Sequence, residues 1–169
     1  MPQYRRFELR PLTADDYEQL GTLVLRQSDQ AELIAAYGLS PTEALQKSVA
    51  ASKQAWAIVF AGKLEGVVGV NEYRRNWYEK PAGIPWLLAT NKFPEFRISL
   101  AKEVKRRLKS LTERYAYLFN YVDSRNTTSI AWLKWLGFTV DENKPYFFHD
   151  PAVPFYLFYL KQAPAADRF

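Results

Sequence analysis

The stretch from Tyr115 to Phe138 constrains this chain more than any other, because its period changes twice within a short span. Ala116 to Val122 is an apolar, aromatic-rich run that reads as a strand. Asp123-Ser124-Arg125-Asn126 follows as a polar turn. Asn bonds nearby backbone well, so Asn126 is either a turn former or a helix cap. Ser129 to Leu136 then predicts a short helix, Gly137 its C-terminal stop, and Phe138 the start of a further extended segment. Strand, Asn turn, helix and Gly-Phe in this order point to the α/β (α+β) class.

The bulk of the chain agrees. At 169 residues it fits one domain, which at this size buries roughly 70% of the surface its unfolded chain exposes. Apolar residues are 48% of the total and aromatics 16%, which supplies a core and excludes a disordered chain. There is no cysteine, so disulfides, thiolate nucleophiles and Cys-based zinc sites are excluded, and a reducing cytosol is expected. No apolar run approaches the roughly 20 residues that span a bilayer, and Met1 to Arg6 lacks the apolar centre of a signal peptide. The formal charge of +5 leaves polyanions open as partners. The expected unit is a single domain over residues 3–161 with a flexible tail at 162–169.

Along the chain, Phe7 to Leu12 alternates as a first strand. Thr13 then caps a helix carrying Tyr17, Leu20, Leu23 and Leu25. A second helical stretch runs from about Gln30 to Tyr37 and stops at Gly38. Ser40-Pro41-Thr42-Glu43 reads as a capping box with proline at the first helical position. Ala55–Phe60 and Leu64–Tyr73 form a hairpin around Ala61-Gly62-Lys63, and Pro85–Thr90 is a short apolar strand. Ile98, Ala101, Leu108, Leu111 and Tyr115 mark one face of a long helix. Tyr146–His149 and Phe155–Leu160 are the closing strands. The expected architecture is a mixed central sheet of about six or seven strands flanked by about four helices.

This order resembles the GNAT (GCN5-related N-acetyltransferase) superfamily over nearly the whole chain. The resemblance rests on Leu9-Arg10-Pro11-Leu12-Thr13-Ala14-Asp15-Asp16 and on Leu64-Glu65-Gly66-Val67-Val68-Gly69. Most specifically, it rests on Val122-Asp123-Ser124-Arg125-Asn126 followed by Trp135-Leu136-Gly137-Phe138. Gly83–Thr90, Leu118–Val122 and Asn126–Ile130 also look like the small GNAT-like proteins of short-tailed phages, a group that includes an internal virion protein.

The resemblance implies an acetyl-CoA-dependent N-acyltransferase in which acetyl-CoA is a dissociable co-substrate, no metal is used, and an amine or protein is the acceptor. The cofactor arm would lie along Leu87, Leu88, Ala89 and Thr90, with its phosphates near Lys92, Arg97, Ile98 and Ser99 at a helix start. Asn126, Ser129 and Trp132 would hold the other side. The family's Gly-rich phosphate loop is replaced by Asn91 to Ser99, which has no glycine and places Glu95, Phe93 and Phe96 where phosphate would approach. Seven residues after Asn126, where the family often carries a tyrosine acid, stands Leu133. Tyr121, Tyr146 or a water would have to substitute. Glu72, at the end of the third strand, is the candidate base, read otherwise as an exposed strand-end charge. The single histidine, His149, reads as a packed residue, and one histidine makes no multi-His metal site.

Two readings follow: a phage-encoded acetyltransferase in the host cytoplasm, or a catalytically degenerate binding module acting inside the virion or on host proteins. The helix 97–114 carries seven Lys/Arg against two Glu, which reads as a solvated face, a cofactor-phosphate surface or, third, a nucleic-acid surface. Arg74-Arg75-Asn76-Trp77-Tyr78 reads as a loop for partner or substrate contact.

Overall fold

The computed structural model describes residues 6–161. Residues 3–5 of the expected domain and the expected tail 162–169 lie outside the described residues. The elements run β1 (Phe7–Pro11), α1 (Ala14–Gln19), α2 (Gln27–Tyr37), α3 (Pro41–Ala51), β2 (Gln54–Phe60), β3 (Lys63–Tyr73) and β4 (Ala82–Ala89). They continue α4 (Phe93–Arg114), β5 (Leu118–Asp123), α5 (Thr127–Leu136), β6 (Thr139–Tyr146) and β7 (Phe155–Leu160). All seven strands join one mixed sheet in the order β1-β2-β3-β4-β5-β7-β6. The described helices number five, three of them before β2 as the three helical stretches of the sequence require, in keeping with the expected architecture.

Local chemistry sets most boundaries. Ala61 and Gly62 both have positive φ, which gives the β2–β3 hairpin a two-residue turn whose twist matches the strands. Gly38 and Gly137 close α2 and α5 in the left-handed region, where a Cβ would be strained. At α3, Ser40 accepts from the Glu43 N–H at 3.2 Å and Pro41 opens the first turn. At α1 Thr13 is the N-cap, as expected, and Asp16 completes a capping box with it. Asp16 accepts from the Thr13 N–H at 2.7 Å, and Arg10 pairs with the same carboxylate, holding it below its ordinary range. That helix ends at Gln19, so Leu20 and Leu25 are buried from a loop, and Tyr17 lies exposed.

Two further expectations are corrected. The penultimate strand is Thr139–Tyr146 rather than Tyr146–His149, because its register is fixed by pairing with β7 and not by its own apolar pattern. Ile98 is off the buried stripe of α4, 62% exposed, while Phe93, Phe96 and Leu100 supply the inward positions.

The core lies on both faces of the sheet. On one, Leu118, Val122, Phe158 and Leu160 pack on Leu108, Leu111, Ile130 and Leu136 of α4 and α5. On the other, Ala57, Val67 and Leu88 pack on Leu33, Leu45 and Val49 of α2 and α3. Each large side chain so buried contributes about 1.5–3 kcal/mol. Among the described residues no helix is long and apolar enough to cross a membrane.

Candidate functional site

A single structural irregularity defines the site: β4 and β5 are parallel neighbours that pair at one position only, Gly83 with Leu118. Glycine permits that contact, since a Cβ at residue 83 would lie 2.6 Å from Leu118 Cδ2 and 2.9 Å from Tyr115 Cδ2. Beyond it the strands part, leaving a wedge. Backbone N–H and C=O groups alternate between the two edges of a strand, so those of Pro85, Leu87 and Ala89 face the gap. Pro85 has no N–H to leave unpaired there, and its carbonyl accepts from Asn120 Nδ2 at 2.9 Å.

The start of α2 fills the next part of the edge. The Arg26 N–H donates to the Ala89 carbonyl at 2.9 Å, and the Ala89 N–H donates to Asp29 Oδ2 at 2.9 Å. Leu87, between Pro85 and Ala89, has no strand on that side.

Around this plug sits a polar cluster. Arg26 Nε lies 2.9 Å from Asp29 Oδ2 as an ion pair, although the N–H is not aimed well enough to be a directed hydrogen bond. Arg26 Nη2 donates to Ser129 Oγ at 3.3 Å, and the guanidinium stacks 4.1 Å from the Phe93 ring centre. Asn126 donates to Glu32 Oε2 at 3.2 Å and accepts from the Ser129 N–H at 3.2 Å, so it both caps α5 and ties it to α2. Asp123, buried at the end of β5, is held by Arg125 at 2.6 Å.

Burial pushes the Glu32 carboxyl up to about 7; the Asn126 bond opposes this, and the nearby Asp29 and Asp123 carboxylates reinforce it. Burial likewise raises Asp29, against the opposing pull of Arg26 and the Ala89 N–H. The cluster divides the wedge into a cavity of about 150 Å³ and one of about 70 Å³, and Asp29, Glu32 and Leu87 contribute to the walls of both.

The expected site residues separate into groups. Leu87, Leu88 and Tyr121 line the larger cavity, with burial raising the Tyr121 hydroxyl and Tyr146 packed on its ring at 5.1 Å. Ser129 and Trp132 line the smaller one, beside Leu133, a core residue. Arg97, Ile98 and Trp132 line a separate groove between α4 and α5. Glu72 stands opposite Gly83, at the closed end of the wedge and paired with Arg74 at 3.3 Å. It is four residues along β4 from Leu87, about 13 Å at the rise of a strand. His149 is exposed, with its ring against Gly38. Among the described residues no group of three His, Cys, Asp or Glu could hold a metal.

At the start of α4 the amides are used internally. The Lys92 N–H donates to Thr90 Oγ1 at 3.3 Å, the Phe93 N–H to the Thr90 carbonyl at 3.1 Å and the Glu95 N–H to the Lys92 carbonyl at 2.9 Å. Pro94 has none. Thr90 is itself fixed to Glu65 through its N–H and its hydroxyl. Ser99 and Lys92 are exposed, and Lys92 pairs with Glu95 at 3.4 Å. Phe93 and Phe96, expected in the phosphate path, point into the core instead, each 1% exposed. As they stand in this structure, these residues leave no open edge for an acyl-CoA arm. The β4 edge at Ala89 is already bonded, and no free amides face an anion in the first turn of α4.

Arg26, Asp29 and Glu32 were not singled out in the sequence. The available signal was two acids three residues apart on α2, on the side that also carries the buried Leu33.

The sequence matches no family model and no curated protein sequence. Solved structures do match. The protein smu.2055 of Streptococcus mutans is 15% identical, with 91% of this chain and 98% of that one covered at a TM-score of 0.70. Spermidine N-acetyltransferase of Vibrio cholerae, solved with CoA and spermine, is 13% identical over 93% of this chain and 96% of its own, at 0.65. A GNAT-family acetyltransferase of Streptococcus pneumoniae is 14% identical over 92% and 99%, at 0.64. At such identities the likeness is one of fold: this chain has the GNAT acetyltransferase fold.

Proposed function

We propose that this chain is a binding module on the acetyltransferase fold, in which the cofactor slot is closed by its own second helix. The carrying observation is Ala89. Both of its backbone groups, on the strand edge where the fold would present them to an acyl-CoA arm, are taken by Arg26 and Asp29. The internally bonded amides of α4 and the buried Leu133 support the same reading. Titration calorimetry with acetyl-CoA and with desulfo-CoA tests it: no heat is expected below about 1 mM, and micromolar binding of either would sink the proposal.

A second reading, acetyl transfer to an amine, is favoured by Glu32. A carboxyl pushed up to about 7 beside Leu87 is suited to accepting a proton near neutral pH. The V. cholerae neighbour solved with CoA and spermine lends it further support. Turnover of acetyl-CoA with a panel of primary amines, lost in Glu32→Gln, would establish it over the first reading. The resemblance to short-tailed phage proteins supports a role in the host cytoplasm or as a minor component of the particle, on virion or host proteins. Mass spectrometry of purified particles tests the latter, and absence from them removes it.

A further inference from the structure

The groove between α4 and α5 shares Phe93 and Trp132 with the closed slot, but it opens on the other side of them and, with the basic face of α4, forms a surface of its own. The groove has a volume of about 400 Å³ and is walled by Phe93, Arg97, Ile98, Ala101, Trp132 and Trp135. Its depth comes from residue size, with the small Ala101 and Ala131 between the larger Ile98, Trp132 and Trp135. Ile98 is 62% exposed and Trp135 52%, so two large apolar side chains stand uncovered beside it. Lys102, Lys105 and Lys109 follow Ile98 at i+4, i+7 and i+11 and so share its side of α4. Arg97, Lys102, Lys105 and Lys109 have no carboxylate partner among the described residues, whereas Arg106 and Arg107 turn to Glu103. No carboxylate lines the groove.

We propose that this groove docks an acidic amphipathic helix of a partner protein, which inserts apolar side chains between α4 and α5 while its carboxylates meet the lysine row. The proposal rests on the binding-module reading for its premise, and it names the partner's chemistry. Charge complementarity and the apolar floor select the occupant. From Ile98 to Lys109 the row is about 17 Å long, the length of roughly three helical turns. Nucleic acid is disfavoured by the state of the indoles. Trp132 is packed edge-on against Phe93 and donates its Nε1–H to the Arg97 carbonyl, and Lys105 covers one face of Trp135 at 3.9 Å. Neither ring is laid out as a stacking platform for bases.

Fluorescence anisotropy of the full chain tests the inference. The probe is a labelled peptide of about 16 residues with Leu at i, i+3, i+4 and i+7 and Glu on the flanks. Three comparisons accompany it: the same peptide with every Leu changed to Gln, a single-stranded DNA of about equal charge, and unlabelled CoA as competitor. The Leu peptide is expected to bind at least about tenfold tighter than the Gln peptide and the DNA. Ile98→Ser and Lys105→Glu should each weaken it about tenfold or more, with unchanged circular dichroism because both positions are exposed. Equal binding of the Gln peptide, tighter binding of the DNA, displacement by CoA, or no Leu-peptide binding up to about 1 mM would each overturn the proposal. Calorimetric heat from acetyl-CoA without displacement of the peptide would instead overturn the closed-slot reading alone.

Discussion

Replacing Glu32 with glutamine isolates the cost of holding one more charge in the wedge between β4 and β5. Burial pushes that carboxyl up to about 7 from an ordinary value of 4.5. The folded protein therefore holds the Glu32 proton more tightly than the unfolded chain does. Stability from this group is fully present below about pH 4.5 and is lost as pH rises through about 7. At about 1.36 kcal/mol per pH unit, the whole interval corresponds to roughly 3 kcal/mol. The side chain keeps some surface towards the cavity, and screening there lowers the expected effect to about 1–3 kcal/mol. Glutamine keeps an acceptor for Asn126 Nδ2 but cannot ionise. Urea unfolding of both proteins at pH 5 and pH 8 reads the difference directly. Glu32→Gln is expected to exceed the parent by less than about 1 kcal/mol at pH 5 and by about 1–3 kcal/mol at pH 8. Comparing the pair removes most of the contribution of Asp16, whose carboxylate, lowered by Arg10, adds stability that is lost in acid. A difference that does not change with pH, or that grows towards acid, would refute the reasoning.

Three other substitutions probe the same region. Asp29→Ala removes the partner of the Ala89 N–H and of half-buried Arg26, and should lower the denaturation free energy by about 3–5 kcal/mol. Asn126→Ala removes the α5 cap and the bond to Glu32, with an expected loss of about 1–2 kcal/mol on the same measurement. Leu133→Tyr places a phenol seven residues after Asn126, the position at which the GNAT resemblance expects a proton donor. Because Leu133 is packed in the core, the variant should lose about 1–3 kcal/mol and still release no thiol from acetyl-CoA in a colorimetric assay.

The fold was legible wherever periodicity and punctuation coincided. Gly38 and Gly137 mark helix ends because the chain there enters the left-handed region, and Ala61-Gly62 marks the hairpin for the same reason. The misreadings occurred where one of these signals was missing. Thr139 to Tyr146 is a mostly exposed edge strand with a proline and little apolar alternation, held in place by β7. Its character comes from its partner, which no local window contains. Ile98 fits the helical spacing of α4 but falls on the open groove, because the stripe that faces the sheet is set by Phe93, Phe96 and Leu100.

The site was legible only in its local half. Asn126 stood out because capping is a short-range act, completed three residues away at Ser129. The contacts that close the wedge are long-range: Asp29 to Ala89, Glu32 to Asn126 and Arg26 to Ser129 join residues far apart in the chain. The glycine-free loop before α4 nevertheless carried a trace of that closure. A helix start that must receive phosphate needs free amides and a bare backbone. One that receives none can bond its amides to Thr90, accept Pro94 and Glu95 in its first turn, and turn Phe93 inward beneath Arg26 with Phe96 packed behind it. The stack of Arg26 on Phe93 links the two changes physically. The Phe93 ring that turns inward at the start of α4 also forms the floor on which the Arg26 guanidinium rests, so the glycine-free helix start and the filled wedge belong to one packing arrangement.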